Sequence, residues 1–253
     1  LLSRRQRQMC IRDRCYPVYR KFLNELRAVK RDGGCVSQTA PSGKGHLFDG
    51  SAGWSDAIDL IPWRMYLRYG NQDILKENYE KIKEWLDFSL KRAKEDNPGR
   101  VRGKDDKYYS YLLDTGWHWG EWIEPDWNGF ISGEDPGGAY LRDIHDHGAP
   151  EVCTAHLSYG CQIAAEVAQL LGRKEEADYY CEMRRLTKLA YREACMENGR
   201  MKQKRQCDYV HAVMFDMITD EEKKTTCDEL NEMIVENGFH LNTKFLSTCE
   251  LLR

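Results

Sequence analysis

No run of apolar residues approaches the roughly twenty that a membrane-spanning helix needs, and no signal-peptide core lies near the first residue. A spanning protein is therefore not expected, and the sequence reads as a soluble one. Excess positive charge is missing too. Against 38 lysines and arginines stand 41 aspartates and glutamates, a net charge of −3, so there is no basic field to attract nucleic acid. Along Glu80, Lys81, Lys83, Glu84 and Asp87 the signs alternate, as on a solvated helix face. Ten cysteines are present, yet none forms a Cys-x-x-Cys pair, so neither a zinc site nor any other metal site is expected. Cys153, Cys161, Cys181, Cys195, Cys207 and Cys227 fall in helix-patterned segments and read as small buried apolar residues. They favour a reducing, cytoplasmic address. His145-Asp146-His147 has no second ligand pair nearby and reads as loop polarity. No strand-rich stretch and no regular repeat length occur, so the chain reads as all-α but not as a regular solenoid.

What is present is a succession of helix pairs. Residues 54–69 are apolar on most sides, with Ile58, Leu60, Ile61, Trp63, Met65, Tyr66 and Leu67, and Pro62 inside them demands a kink or a late helix start. Gly70-Asn71 turns the chain into a helix striped by Leu75, Tyr79, Ile82, Leu86 and Leu90. Residues 152–171 and 175–196 repeat the pairing across Gly172. Residues 207–218 then lead into Thr219-Asp220-Glu221-Glu222, a capping box that opens a helix through Val235. Each pair reads as a buried inner helix followed by a half-exposed outer one. A lone outer-type helix follows Pro17, and residues 245–253 begin an inner one, so both ends look cut. Residues 1–14, with five arginines and no helical or strand period, resemble translated sequencing-adapter sequence; they are set aside as a non-native or disordered segment, leaving 15–253 as one domain.

The turns within pairs are short, whereas the connections 31–53 and 97–151 are long. In stacked hairpins all connections between pairs emerge on one side, which puts a site there. The second of these loops holds Trp117, Trp119, Trp122 and Trp127 with Glu121, Glu124 and Asp126. Indole faces cover C–H surfaces and carboxylates accept from hydroxyls, a combination suited to a sugar. Anchoring of a long loop onto the core is the plainer explanation of the same residues.

Four segments carry a resemblance. Ser51-Ala52-Gly53-Trp54-Ser55-Asp56-Ala57 with Ile61-Pro62-Trp63 is similar to the Gly-Trp-x-Asp-Ala segment of bacterial α-L-rhamnosidases, which are six-hairpin glycosidases. Trp119-Gly120-Glu121-Trp122 resembles their Gly-Asp/Glu-Trp loop, Thr154-Ala155-His156-Leu157 their post-loop inner helix, and His240-Leu241-Asn242-Thr243-Lys244-Phe245-Leu246 their Gly-His-Leu-x-Thr-Gly-Phe-Leu segment. The match covers about residues 16–253 in the family's order. It implies a partial (α/α)6 toroid, truncated at both ends, from an inverting enzyme that removes terminal α-L-rhamnosyl groups. Lys244 stands where the family often has glycine.

The resemblance assigns the general acid and general base to segments that this sequence does not contain. What it leaves is the middle of the substrate cradle, with Trp54 and Trp122 facing the sugar, Asp56 and Glu121 as polar partners and Trp117 beside them. Physical reasoning alone offers Glu121 and Asp56 as an acid and base pair, a minority alternative. No cofactor is implied, the partner is a rhamnoside, and neither nucleic acid nor membrane is called for. Another six-hairpin glycosidase, acting on fucosides, glucosides or unsaturated uronides, and a non-catalytic helical-repeat interaction module remain open.

Overall fold

The computed structural model describes residues 4–29, 31–42, 49–95, 106–114, 118–122 and 149–251, with side chains described for these except at 4–14, 106 and 107. The described part of the sequence pairs helices as its periodicities predict: α1 (Arg4–Ala28), α2 (Ala57–Tyr69), α3 (Asp73–Glu95), a short α4 (Asp106–Tyr109), α5 (Pro150–Leu170), α6 (Lys174–Cys195), α7 (Gln206–Met214) and α8 (Asp220–Glu236). None of these is long and apolar enough to cross a membrane.

Helices α2, α5 and α7 pack side by side, and each is followed by its antiparallel partner, α3, α6 and α8. Residues of α5 are buried almost throughout, including Val152, Ala155, Leu157, Ile163 and Val167, and α7 is buried from Gln206 to Ala212. Helix α8, by contrast, buries only Thr226. Each fully buried aliphatic side chain contributes about 1.5–3 kcal/mol, so the inner row carries much of the cohesion. Gly70 (φ 70°) and Gly172 (φ 73°) make the tight turns within pairs in the left-handed region open to glycine. Thr219 and Glu222 form the expected capping box at the start of α8. Arg192 clamps that Glu222 with bonds of 2.6 and 2.7 Å, and the guanidinium and the cap together pull the carboxyl down to about 2.

Several expectations are corrected. The backbone is helical back to Arg4; arginine and glutamine are good helix formers, so helix forms without an apolar period. Helix α2 starts late, at Ala57, which moves Pro62 toward its first turns, and Leu67 is exposed rather than buried. Helix α3 is half-exposed as expected, its stripe of Leu75, Tyr79, Ile82, Leu86 and Leu90 buried against α2 and α5 and its charged face outward. Helix α7 stops at Met214, where Phe215 caps it and Asp216 takes φ 54°. Cys181 and Cys227 are exposed, on α6 and α8, whereas Cys153, Cys161, Cys195 and Cys207 are buried. A two-stranded hairpin, β1 (Met196–Glu197) with β2 (Arg200–Met201), turns through Asn198-Gly199, both with positive φ. Residues 245–251 form turns, not a helix. The Ser247 N–H there, and that of Lys244 just before, go to the Glu121 carboxylate at 3.1 and 2.8 Å, while Thr248, Glu250 and Leu251 bond to local carbonyls.

Candidate functional site

Three segments that are remote in sequence meet at one junction. The first is the approach to α2. Asp56 sits at its N-terminus, almost wholly buried, and its two oxygens are divided: Oδ2 accepts from the Gly53 N–H, and Oδ1 accepts from the Trp85 indole N–H at 2.7 Å. One carboxylate thus shapes the turn that carries Trp54 and ties it to α3. Gly53, at φ 80°, lies so close to Leu246 that any Cβ would collide with it.

Residues 118–122 form the second segment. The Ala52 N–H donates to His118 Nδ1 at 3.0 Å, and the Trp119 N–H donates to Ser51 Oγ at 3.1 Å. With Nδ1 accepting, the neutral imidazole holds its proton on Nε2. Trp119 and Trp122 meet edge to face at 4.6 Å. Trp122 adopts φ 58°, a costly conformation for a bulky residue that persists only where its surroundings hold it.

Glu121, fully buried, joins this segment to the third, residues 243–250. Its Oε1 accepts from the Lys244 N–H (2.8 Å), the Ser247 N–H (3.1 Å) and the Ser247 hydroxyl (2.6 Å). Lys244 takes no positive φ, so glycine is not required there. An ion pair between Arg64 of α2 and the buried Glu250 fastens the far end of the segment. Phe245 packs on Trp54 with ring centroids 5.6 Å apart.

Of the residues singled out from the sequence, Trp54, Asp56, Glu121 and Trp122 therefore belong to one knot of loops. The two carboxylates are buried and the two indoles half-buried. Trp117, Trp127, Glu124, Asp126 and the histidines 145 and 147 lie outside the described residues. A groove of about 750 Å³ between α3 and α6, lined by Asp87, Lys91, Tyr111 and Tyr179 among others, shares no residue with this knot.

Beneath the junction is a polar layer that the sequence did not reveal. Asp59 of α2 is fully buried against Gly160 of α5, where a Cβ would come within 2.8 Å of Oδ2. Its carboxyl finds no hydrogen-bond partner among the described residues. Burial first, and then the neighbouring Asp56, push its pKa well above the ordinary carboxylate range, which favours the protonated form. His156 of α5 stands 3.8 Å from Asp56 Oδ2, and its ring meets His211 of α7 at 5.3 Å. Burial pulls both histidines down, His211 further because His156 adds to it. Buried polar residues on an otherwise apolar helix interrupt no apolar stripe, so only the histidine in Thr154-Ala155-His156-Leu157 drew notice beforehand. Among the described residues no cluster of histidine, cysteine and carboxylate side chains is arranged to hold a metal ion.

Helical pairs with their buried members side by side, and loops knotted over that row, define a segment of an (α/α)6 barrel. The family model for the bacterial alpha-L-rhamnosidase 6 hairpin glycosidase domain matches residues 6–253, and the chain belongs to this family. It is 26% identical over 240 residues to the alpha-L-rhamnosidase of Formosa agariphila, covering 92% of this chain and 22% of that protein. With the alpha-L-rhamnosidase of Streptomyces avermitilis it shares 27% over 232 residues, covering 92% and 19%. The chain thus spans about a fifth of the length of these curated relatives. Its fold matches the crystal structure of the Streptomyces avermitilis alpha-L-rhamnosidase complexed with L-rhamnose, with a TM-score of 0.74 at 24% identity over 94% of this chain and 20% of that one. The structure of the alpha-L-rhamnosidase from Dictyoglumus thermophilum matches with a TM-score of 0.69 at 20% identity, over 92% and 24%.

Proposed function

We propose that this chain is the middle of the saccharide cradle of an inverting α-L-rhamnosidase, and that Trp54 and Trp122 hold the terminal rhamnosyl group, with Trp117 beside them. The observation that carries this reading is the Glu121 staple. It gathers the two family segments that bear Trp122 and Phe245, and Phe245 in turn packs on Trp54. Asp56 and Glu121 are polar partners that act by holding the loops, since both oxygens of Asp56 and Oε1 of Glu121 accept from protein donors.

Inversion needs a general acid and a general base about 6.5–9.5 Å apart with water between them. The resemblance assigns both to segments that this sequence does not contain, so the chain by itself binds rhamnosides and does not cleave them. Ground-state contacts alone leave the barrier standing. The deciding experiment is an aryl-rhamnoside assay beside a calorimetric titration with L-rhamnose, L-fucose and D-glucose. Binding of L-rhamnose in preference to the other two, with turnover equal to the blank, is expected. Preference for fucose or glucose would transfer the reading to another six-hairpin glycosidase. Turnover abolished by Glu121→Gln would make Glu121 a catalyst.

A further inference from the structure

We infer that Phe239, Leu241 and Phe245 form a rail leading out of the junction that holds the sugars following the terminal one, so that the ligand is an oligosaccharide rather than a single sugar. This inference rests on the saccharide reading of Trp54 and Trp122 given above. The segment has a fixed backbone without helix or strand between residues 240 and 244. Gln206, at the start of α7, accepts from the Asn242 N–H at 2.7 Å, and Glu121 holds Lys244 and Ser247. The Thr243 and Thr248 hydroxyls bond to each other at 2.8 Å.

The polar staples face inward, and large apolar side chains face out. Phe239 is 76% exposed, Leu241 44% and Phe245 60%. Three of the nine exposed large apolar side chains among the described residues thus fall within seven consecutive positions, a concentration that marks a contact surface. Phe239 is also strained. Gly238, at φ 64°, already supplies the left-handed residue that ends α8, yet Phe239 follows it with φ 62°. A bulky residue in that region costs stability, and this one gains little packing in return.

The rail is continuous with the site because the Phe245 ring lies against Trp54. An extended chain spans at most about 3.3–3.6 Å per residue, so the stretch from Phe245 back to Phe239 reaches up to ~20 Å, longer than one sugar ring. Exposed His240 and Lys244 and half-buried Asn242 alternate with the apolar side chains. Apolar faces interleaved with hydrogen-bonding groups suit pyranose rings with their C–H faces and hydroxyl edges. The core of a protein interface, by contrast, is depleted in lysine.

The test is calorimetric titration of the 253-residue chain with methyl α-L-rhamnopyranoside and with a rhamnose-terminated tetrasaccharide of alternating rhamnose and galacturonate. The parent should bind the tetrasaccharide at least about tenfold more tightly, or about 1.4 kcal/mol. The Phe239→Gly, Leu241→Ser variant should lose that advantage and bind the methyl rhamnoside as the parent does. Phe239→Gly alone should melt at the same temperature as the parent or higher, since glycine adopts positive φ freely. Equal affinity of the parent for both sugars would overturn the rail and leave the site reading intact. So would an advantage that survives in the variant, including the case where the variant changes only self-association in sedimentation, which would make the strip a protein contact. A lower melting temperature for Phe239→Gly would make Phe239 a structural residue. Absence of binding by either sugar would defeat the rail together with the reading beneath it.

Discussion

Glu121 and Ser247 are separated by 126 positions, yet a single carboxylate oxygen of one accepts both the N–H and the hydroxyl of the other, at 3.1 and 2.6 Å. The tryptophan loop and the segment that ends in turns at residues 245–251 are one unit because of that oxygen. Glu121→Ala strands the Lys244 N–H and both Ser247 donors in a buried place, at an expected cost of about 3 kcal/mol or more. Glu121→Gln retains an amide oxygen and should cost clearly less. Urea unfolding measures both. If Glu121→Ala stays within about 0.5 kcal/mol of the parent, as an ordinary surface substitution does, the staple does not hold the loops.

Gly160 is where α5 approaches Asp59 closely. An added Cβ would stand 2.8 Å from both Asp59 Oδ2 and Leu86 Cδ2, and overpacking of this kind costs about 1–3 kcal/mol. It outweighs the roughly 0.5–1 kcal/mol of helix preference that alanine gains over glycine. Gly160→Ala should therefore lower stability, and Asp59→Ala in the same chain should recover part of the loss. Additive effects in the double-mutant cycle would show that the two positions do not touch.

The buried polar layer sets two limbs of opposite slope in stability against pH. Asp59 has a folded pKa raised well above 3.8. Above that value the unfolded chain releases a proton that the folded one keeps, and stability falls by ~1.4 kcal/mol per pH unit until the folded pKa is reached. His156 and His211 have folded pKa values below 6.5. Their contribution is complete above 6.5 and is lost as the pH falls toward the folded values, because the unfolded chain then binds protons that the folded one excludes. Unfolding measured across pH should show Asp59→Asn removing the fall that begins above pH 3.8 and His211→Gln reducing the loss below pH 6.5. Curves parallel to the parent's would refute the assignment.

The hairpins were legible because their residues alternate between two patterns: apolar on most faces in α5, one-sided in α6. Gly70, Gly172 and the Thr219–Glu222 box marked the turns. Of the junction, the loop tryptophans and acids were visible, since loops rarely gather indoles without use. The inward bonds of Asp56 and Glu121 were not visible, because a sequence does not say which way a carboxylate turns. The layer of Asp59, His156 and His211 was hidden because inner helices are buried all round, and a polar residue there breaks no stripe. Asn198-Gly199 is a hairpin signal, but strands of two residues leave no alternating pattern around it. The apolar pattern of residues 245–251 suggests a helix, whereas the stretch forms turns bonded partly to its own carbonyls and, through Ser247, to Glu121, a partner far away in sequence.

The central claim is that the junction of the three loop segments is where a rhamnosyl group sits. Indole N–H resonances, assigned by single tryptophan replacements and followed during titration of the chain with L-rhamnose, test it most directly. Trp54 and Trp122 should shift in a saturable way, while Trp85, whose indole N–H is bonded to Asp56 in the interior, should move far less. Titration to saturation with Trp54 and Trp122 unmoved, or with all indoles moving alike, would contradict the claim.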